Sequence, residues 1–155
     1  MFIHTYIHSK YQKFINKMRI FHLKLLGAKI GSSVKSYGRF TVMNAENLTI
    51  DDNSTLNEGV HVNCRDKVTI GKGVRISTNV QIHTGKLIID SFPRIHTKAP
   101  ITIGDNVWIA SGVVISAGIN IDKDSIIGAN SVVVKDIEAN SFYAGNPAKK
   151  ITGLL

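Results

Sequence analysis

The sequence predicts an all-β chain folded as a parallel β-helix and preceded by one amphipathic helix. An aliphatic residue recurs every six positions from residue 103 onward, and three such hexads make one longer unit. Apolar residues near the N-terminus instead follow a helical spacing. Three hexads per unit imply a three-sided coil, in which each hexad supplies one short strand and a turn.

The hexad repeat is clearest between residues 103 and 137. The residue after each leading aliphatic is usually small or acidic, and the residue four positions after it is Val, Ile or Ser. A β-sandwich has turns at similar spacing, but it does not keep a strict six-residue phase over many units. The leading residues of this region are Ile103, Ile109, Ile115, Ile121, Ile127 and Val133.

The same phase extends upstream, where only Ser36 breaks the row of leading aliphatics. Upstream units are twenty residues long, which is three hexads plus two residues, whereas the unit that begins at Ile103 is eighteen long. We therefore expect about five coils, with the starting residues Ile30, Ile50, Ile70, Ile103 and Ile121.

One long interruption separates the third coil from the fourth. The step from Ile70 to Ile103 is thirty-three residues, so the chain must leave the prism and return, through an excursion loop at about residues 84–100. Loops held by a rigid scaffold are frequent places for functional sites. This loop carries polar and charged side chains, and we expect the chemistry here: His83 at its root, then Asp90, Arg94, His96 and Lys98.

An amphipathic helix is predicted at the N-terminus. Apolar residues alternate at spacings of three and four with cations between them, at Ile7, Tyr11, Phe14, Met18, Phe21 and Leu25. We assign residues 1–28 to this helix and residues 29–151 to the β-helix domain. The first interpretation is a helix that covers the first coil, because terminal repeats need a cover. The alternative is a basic helix that lies on an anionic membrane.

Composition restricts the classes of protein. The net charge of +8 is contained in residues 1–45, which hold no acid. Cys64 is the single cysteine, so neither an intrachain disulfide nor a cysteine-based zinc site is expected. Cations interrupt every N-terminal apolar run, which argues against a secretory signal. We expect a cytoplasmic protein, with peripheral attachment to the inner face of the membrane left open. Nucleic-acid binding is not expected, because the repeats lack aromatic platforms.

Several segments, in order, resemble the hexapeptide-repeat O-acetyltransferases, and within them the branch that modifies bacterial cell-surface polysaccharides. The similarity runs from about Lys29 to Ile151 and includes IHTGKL, HTKAPITIGDNVWIASGVVI, SIIGANSVVVKDI and AGNPAKKI. The resemblance implies a left-handed coil, a homotrimer and acetyl-CoA as donor, bound between neighbouring subunits, with no metal. It also implies acetyl transfer to a sugar hydroxyl, in O-antigen or capsule biosynthesis.

The expected catalytic histidine is not at its usual place. Many members of the family carry Thr-Gly-x-His after the strand, but here Thr84-Gly85-Lys86 is followed by Leu87. Resemblance to a smaller branch with the same pattern makes His96 and His83 the candidate bases. We favour His96, although the two could act together or be ordinary loop residues. An imidazole suits the task, because its ordinary pKa near neutrality lets it take a proton from a hydroxyl and return it to a thiolate.

The resemblance assigns further positions to acetyl-CoA. Trp108 corresponds to a residue that walls the acyl pocket, and a contact between subunits is the alternative. Ser111 and Ala129 correspond to positions beside the pantetheine arm. Lys135, Pro147, Lys149 and Lys150 correspond to the nucleotide end, where solvated lysines are the alternative.

Two other functions fit the same fold. A non-catalytic scaffold or binding subunit is one, and binding of CoA would distinguish it from an enzyme. A zinc carbonic anhydrase is the other, but it needs three histidines spaced across adjacent coils. His61, His83 and His96 do not follow that spacing. The acceptor sugar is not encoded in the repeats.

Overall fold

A computed structural model describes residues 2–153, and the side chains from residue 10 onward. The helix α1 (Phe2–Leu25) is followed by a three-sided, left-handed parallel β-helix, so the predicted fold class is confirmed. The first face has five parallel strands: β1 (Lys29–Ile30), β4 (Leu48–Ile50), β7 (Val68–Ile70), β12 (Ile101–Ile103) and β15 (Asn120–Ile121).

The second face has seven strands, of which the last pairs antiparallel: β2 (Lys35–Tyr37), β5 (Thr55–Asn57), β8 (Arg75–Ile76), β13 (Trp108–Ile109), β16 (Ile126–Ile127), β18 (Ser141–Ala144) and β19 (Lys149–Gly153). The third face has five strands: β3 (Thr41–Met43), β6 (His61–Asn63), β9 (Gln81–His83), β14 (Val114–Ile115) and β17 (Val132–Val133). A hairpin of β10 (Gly85–Ile88) and β11 (Ile95–Lys98) projects from the prism, and a short 3-10 turn covers Ala45–Asn47.

The leading aliphatics stack along the interior of the prism. Ile50, Ile70, Ile103 and Ile121 are in register on the first face, and each is at most 1% exposed. Fully burying one such side chain contributes about 1.5–3 kcal/mol. Because each leading residue packs against those of the adjacent coils, each coil is stabilised mainly by its neighbours. The five coils begin where the sequence predicts.

A sixth, incomplete coil follows the predicted five. Ile137 pairs with Ile121, and β18 then extends the second face. The step from Ile121 to Ile137 is sixteen residues, shorter than the eighteen of the coil before it. A shortened coil falls out of the hexad phase, which is why the periodicity alone did not indicate it.

The corners of the prism explain the small and polar positions of the repeat. Asn53, Asn79, Asn106 and Asn130 all have positive φ, between 56° and 63°. Asn tolerates this left-handed region better than most residues. The buried hydroxyl of Ser54 donates to the carbonyl of Gly71 at 2.7 Å and accepts from the amide of Val74 at 2.9 Å. Serine is therefore found at buried turn positions because it satisfies backbone groups that an aliphatic side chain would leave unpaired.

The helix covers the first coil, but with a different face from the predicted apolar stripe. Ile20 and Leu23 are the buried residues, at 8% and 4% exposure. The hydroxyl of Ser36 donates to the carbonyl of Asn16 at 3.1 Å, so the one irregular leading position meets the helix. The described members of the stripe are 46–69% exposed instead: Tyr11, Phe14, Met18, Phe21 and Leu25. Ile7 lies outside the described side chains.

Within residues 2–153, no helix combines the length and the apolar character needed to cross a bilayer.

Candidate functional site

For the site, the corners are numbered in chain order. Corner one joins the first face to the second, corner two joins the second to the third, and corner three joins the third to the first of the next coil. The predicted excursion leaves the third coil at corner three, and it is an antiparallel hairpin rather than an irregular loop. Its tip is closed by Arg94, whose guanidinium donates to the carbonyl of Ser91 at 2.9 Å.

Thr84 fixes the root of this hairpin. Its side chain is fully buried, and its hydroxyl donates to the carbonyl of Asn63 at 2.8 Å and accepts from the amide of Asp66 at 2.9 Å. The amide of Ala99, on the returning chain, donates to the carbonyl of Thr84 at 2.9 Å. The departing and returning chains therefore meet at one buried residue, which holds the hairpin at a defined place on the prism.

His96 lies directly across the hairpin from Leu87. Residues directly opposite each other in an antiparallel pair project to the same side of the ribbon. The imidazole of His96 therefore projects to the same side of the hairpin as Leu87. Leu87 occupies the position that the histidine of Thr-Gly-x-His takes in many members of the family. His96 is exposed, and its side chain makes no hydrogen bond or ion pair with the described residues.

His83 has a more enclosed environment on the third face. Its Nε2 lies 3.1 Å from Oε1 of Gln81, and its ring centroid is 5.6 Å from that of His61. Burial, and secondarily the neighbouring His61, lower the pKa of His83. Asn63 pairs with His83 in the adjacent strand, and its Oδ1 is buried without a hydrogen-bond partner among the described residues.

We missed His61 and Asn63 as site residues in the sequence. The signal was present, because the twenty-residue unit places them one coil before Gln81 and His83. Both project outward from the third face, next to the root of the hairpin.

We predict that the pKa of His83 lies below its ordinary value of 6.5, so that the neutral imidazole predominates at pH 7. His61→Asn should raise the pKa of His83 only part of the way, because burial is the larger cause and remains. A two-dimensional NMR pH titration of the imidazole protons measures the midpoint of His83 in the wild-type protein and in the variant. A His83 midpoint at or above 6.5 in the wild-type protein would contradict the prediction.

Ser111 and Ala129 form a column at corner two. Both are exposed and occupy the same turn position in successive coils, and the amide of Asn130 donates to the carbonyl of Ser111 at 2.9 Å. Thr78 occupies that position one coil earlier, and its hydroxyl donates to Oγ of Ser111 at 2.9 Å. Pro147 lies at corner two of the sixth coil. With coils about 4.8 Å apart, this column spans roughly 14 Å along the prism.

Trp108 and the C-terminal lysines lie beside this column. Trp108 is on the second face, 47% exposed, and its indole N–H donates to Oγ of Ser77 at 3.2 Å. Lys149 is exposed in β19. Lys150 is paired with Glu138 at 2.6 Å, and this hydrogen bond raises the pKa of the lysine. Lys150 is therefore less available to a ligand than Lys149.

Lys135 is not part of the column. It follows β17 and lies at corner three, two coils beyond the hairpin. The predicted residues thus form two groups on one chain. His83, His96 and Lys135 are at corner three, whereas Ser111, Ala129 and Pro147 are at corner two. The third face separates the two groups.

Two other kinds of site are disfavoured. Cys64 is fully buried, and this burial raises the pKa of its thiol to about 12, so it does not serve as a thiolate nucleophile. Among the described residues, no group of three or more His, Cys, Asp or Glu side chains is arranged to hold a metal ion.

Comparison with known proteins gives the family. Residues 100–135 match the family described as "Bacterial transferase hexapeptide (six repeats)". The chain is also 32% identical over 132 residues to the putative colanic acid biosynthesis acetyltransferase WcaF of Escherichia coli, covering 85% of this chain and 72% of the relative. The chain belongs to the hexapeptide-repeat acetyltransferase family. The resemblance to the hexapeptide-repeat acetyltransferases is therefore confirmed, and the similarity to WcaF supports the cell-surface polysaccharide branch in part.

Two further proteins show how far the similarity extends. A putative acetyltransferase of Saccharomyces cerevisiae is 45% identical over 108 residues, covering 68% of this chain. The chain spans about half of that relative's length, 55%. A hexapeptide-repeat acetyltransferase from Vibrio cholerae, solved with acetyl-CoA bound, superposes with a TM-score of 0.83 at 26% identity, covering 90% of this chain and 78% of the other.

Proposed function

We propose that the protein transfers an acetyl group from acetyl-CoA to a sugar hydroxyl, in the biosynthesis of a surface polysaccharide such as O-antigen or capsule. The observation that carries this proposal is the column at corner two, in which small exposed residues of successive coils lead toward Lys149. Membership of an acetyltransferase family, with one relative bound to acetyl-CoA and another named for colanic acid biosynthesis, supports it.

The donor would lie along corner two. The small side chains of Ser111 and Ala129 leave room for the extended pantetheine arm, and the column of roughly 14 Å suits its length. Lys149, near Pro147 at the far end, would meet the phosphates of the nucleotide. The ring of Trp108 would wall the acyl end. Lys135, at corner three of the same chain, would reach the nucleotide only from a neighbouring subunit.

The acceptor would be held at corner three, beside the root of the hairpin. We assign His96 as general base and His83 as its helper in placing the acceptor. The imidazole takes the proton of the sugar hydroxyl as its oxygen attacks the thioester carbonyl carbon. The carbon–sulfur bond then breaks, and the proton passes to the departing thiolate.

We propose a homotrimer, because one chain keeps the two groups of residues on different corners. A threefold assembly that brings corner three of one subunit against corner two of the next would unite them. The exposed apolar residues of the hairpin support such a contact, since Ile89 and Phe92 are 73% and 95% exposed in the single chain. We also propose a cytoplasmic location, which gives access to acetyl-CoA and to sugar precursors.

Calorimetric titration with CoA tests the donor site, and release of thiol from acetyl-CoA in the presence of candidate sugars tests transfer. We expect CoA to bind, and Ala129→Trp to abolish binding by filling corner two. Lys123→Trp is the matched control, because Lys123 is exposed at corner one. If the wild-type protein bound no CoA, a non-catalytic scaffold would be the better assignment.

A further inference from the structure

We propose that the outward face of α1 attaches the protein to anionic lipid bilayers. This outward stripe consists of Tyr11, Phe14, Met18, Phe21 and Leu25. The proposal concerns the end of the prism that α1 covers, and it does not depend on the chemistry proposed at corners two and three.

The outward stripe does not take part in covering the first coil. Ile20 and Leu23 already cover the first coil, and they lie on the opposite side of the helix from the stripe when residues are placed at about 100° intervals. Single exposed apolar residues are common, but five large ones on one helical face form a continuous patch. Such a patch is typical of a surface that meets an apolar phase.

The charges next to the stripe favour an anionic partner. Lys13, Lys17 and Lys24 form a row along one flank of the stripe, with Arg19 beyond the other side. In the part of the chain with described side chains, none of these four cations forms an ion pair with an acid. Lysine stems can lie along an apolar surface while their ammonium groups reach lipid phosphates. This combination of a large-residue apolar face and a cationic border is characteristic of helices that lie in the membrane interface.

A groove beside the helix adds to this basic surface. It lies between α1 and the first coil and has a volume of about 620 Å³. Its lining includes Lys13, Lys17, Lys24 and Lys35, next to apolar side chains and serines. With four lysines on its walls, the groove would accept the phosphate of a lipid headgroup while the stripe contacts the acyl boundary. The same charges oppose a second copy of this chain as the occupant, because two stripes brought together would also bring together two uncompensated rows of lysine.

Flotation with vesicles tests the proposal on the full-length protein. One set of vesicles contains phosphatidylcholine alone, and the other also contains phosphatidylglycerol. We expect at least about ten-fold tighter binding to the anionic vesicles, and a loss of this difference at high salt, because screening weakens the lysine contacts.

Two sets of variants separate the apolar from the cationic contribution. The double variant Phe14→Ser with Phe21→Ser should weaken binding at least about ten-fold, because it removes the apolar area that the two rings would bury in the bilayer. Ile151→Ser is its control, because Ile151 is also exposed, at 60%, at the far end of the prism. The triple change of Lys13, Lys17 and Lys24 to Gln should remove the preference for anionic vesicles. The same change at Lys67, Lys72 and Lys123, which are exposed in turns, should not.

Three results would overturn the proposal: equal binding to both vesicles, no binding to either, or undiminished binding by the double phenylalanine variant. Light scattering and calorimetry with CoA accompany each variant. A double phenylalanine variant that loses its oligomeric state and retains vesicle binding would identify the stripe as a protein interface. Vesicle binding and CoA binding are measured separately, so failure here leaves the acetyl-transfer proposal to be judged by its own test.

Discussion

Replacing His96 with Ala is expected to lower kcat by about two to four orders of magnitude, the usual contribution of a general base. The affinity for acetyl-CoA should change little, because the imidazole acts mainly in the transition state. Steady-state kinetics and calorimetry with CoA measure the two quantities. Leu87→Ala is the matched control, since Leu87 projects on the same side of the hairpin but holds no base. It should cost at most a few-fold in kcat.

The result for His83 distinguishes the two candidate bases. His83→Ala should cost less than His96→Ala if His83 only helps to place the acceptor. If His83→Ala lost turnover and His96→Ala kept it, the base would be His83 and histidine catalysis would stand. Wild-type turnover in both variants would rule out a histidine base for this chain.

Mixing two inactive variants is expected to restore activity. In a trimer with sites between subunits, a His96→Ala chain supplies an intact corner two, and an Ala129→Trp chain supplies an intact hairpin. Random assembly from equal amounts leaves both halves intact in about one quarter of the sites, whereas each pure trimer has none. Co-expression of the two chains, followed by the thiol-release assay, measures the recovered fraction.

A control pair tests whether recovery comes from complementation. Ala129→Trp mixed with Ser111→Trp should stay inactive, because both changes block the same corner and no neighbour can supply an intact one. Absence of recovery with the first pair, in protein that is trimeric by light scattering, would mean that each site is formed within one chain.

The repeat could be predicted from sequence because it is set by local rules. Every coil places an aliphatic residue inside and a small, serine or left-handed residue at the turn, so the pattern is visible at each step. The short sixth coil was missed for the same reason, since Ile137 falls outside the phase. The excursion was located by a break in the phase, but nothing in its composition indicated that it would pair as a hairpin with Leu87 opposite His96.

The local sequence pattern predicted that the helix forms but not which of its faces is buried. The three-and-four spacing correctly predicted a helix, but it selected Tyr11, Phe14 and Met18 as its main apolar face. The structure buries Ile20 and Leu23 instead. Which side of a helix is covered depends on the shape and polarity of the surface it meets, here the end of the first coil with Ser36 reaching the carbonyl of Asn16.

The sequence by itself determined the prism, its coils, the position of the excursion and the family, because six-residue spacing and contiguous blocks are properties of neighbouring residues. Only the tertiary structure decided which side chains share a corner. It brought His61 and Asn63 next to His83, and it set Ser111 and Ala129 one face away from His96. Those relations join residues fifteen or more positions apart, and they depend on the number of residues in each coil and on the pairing of strands from different coils.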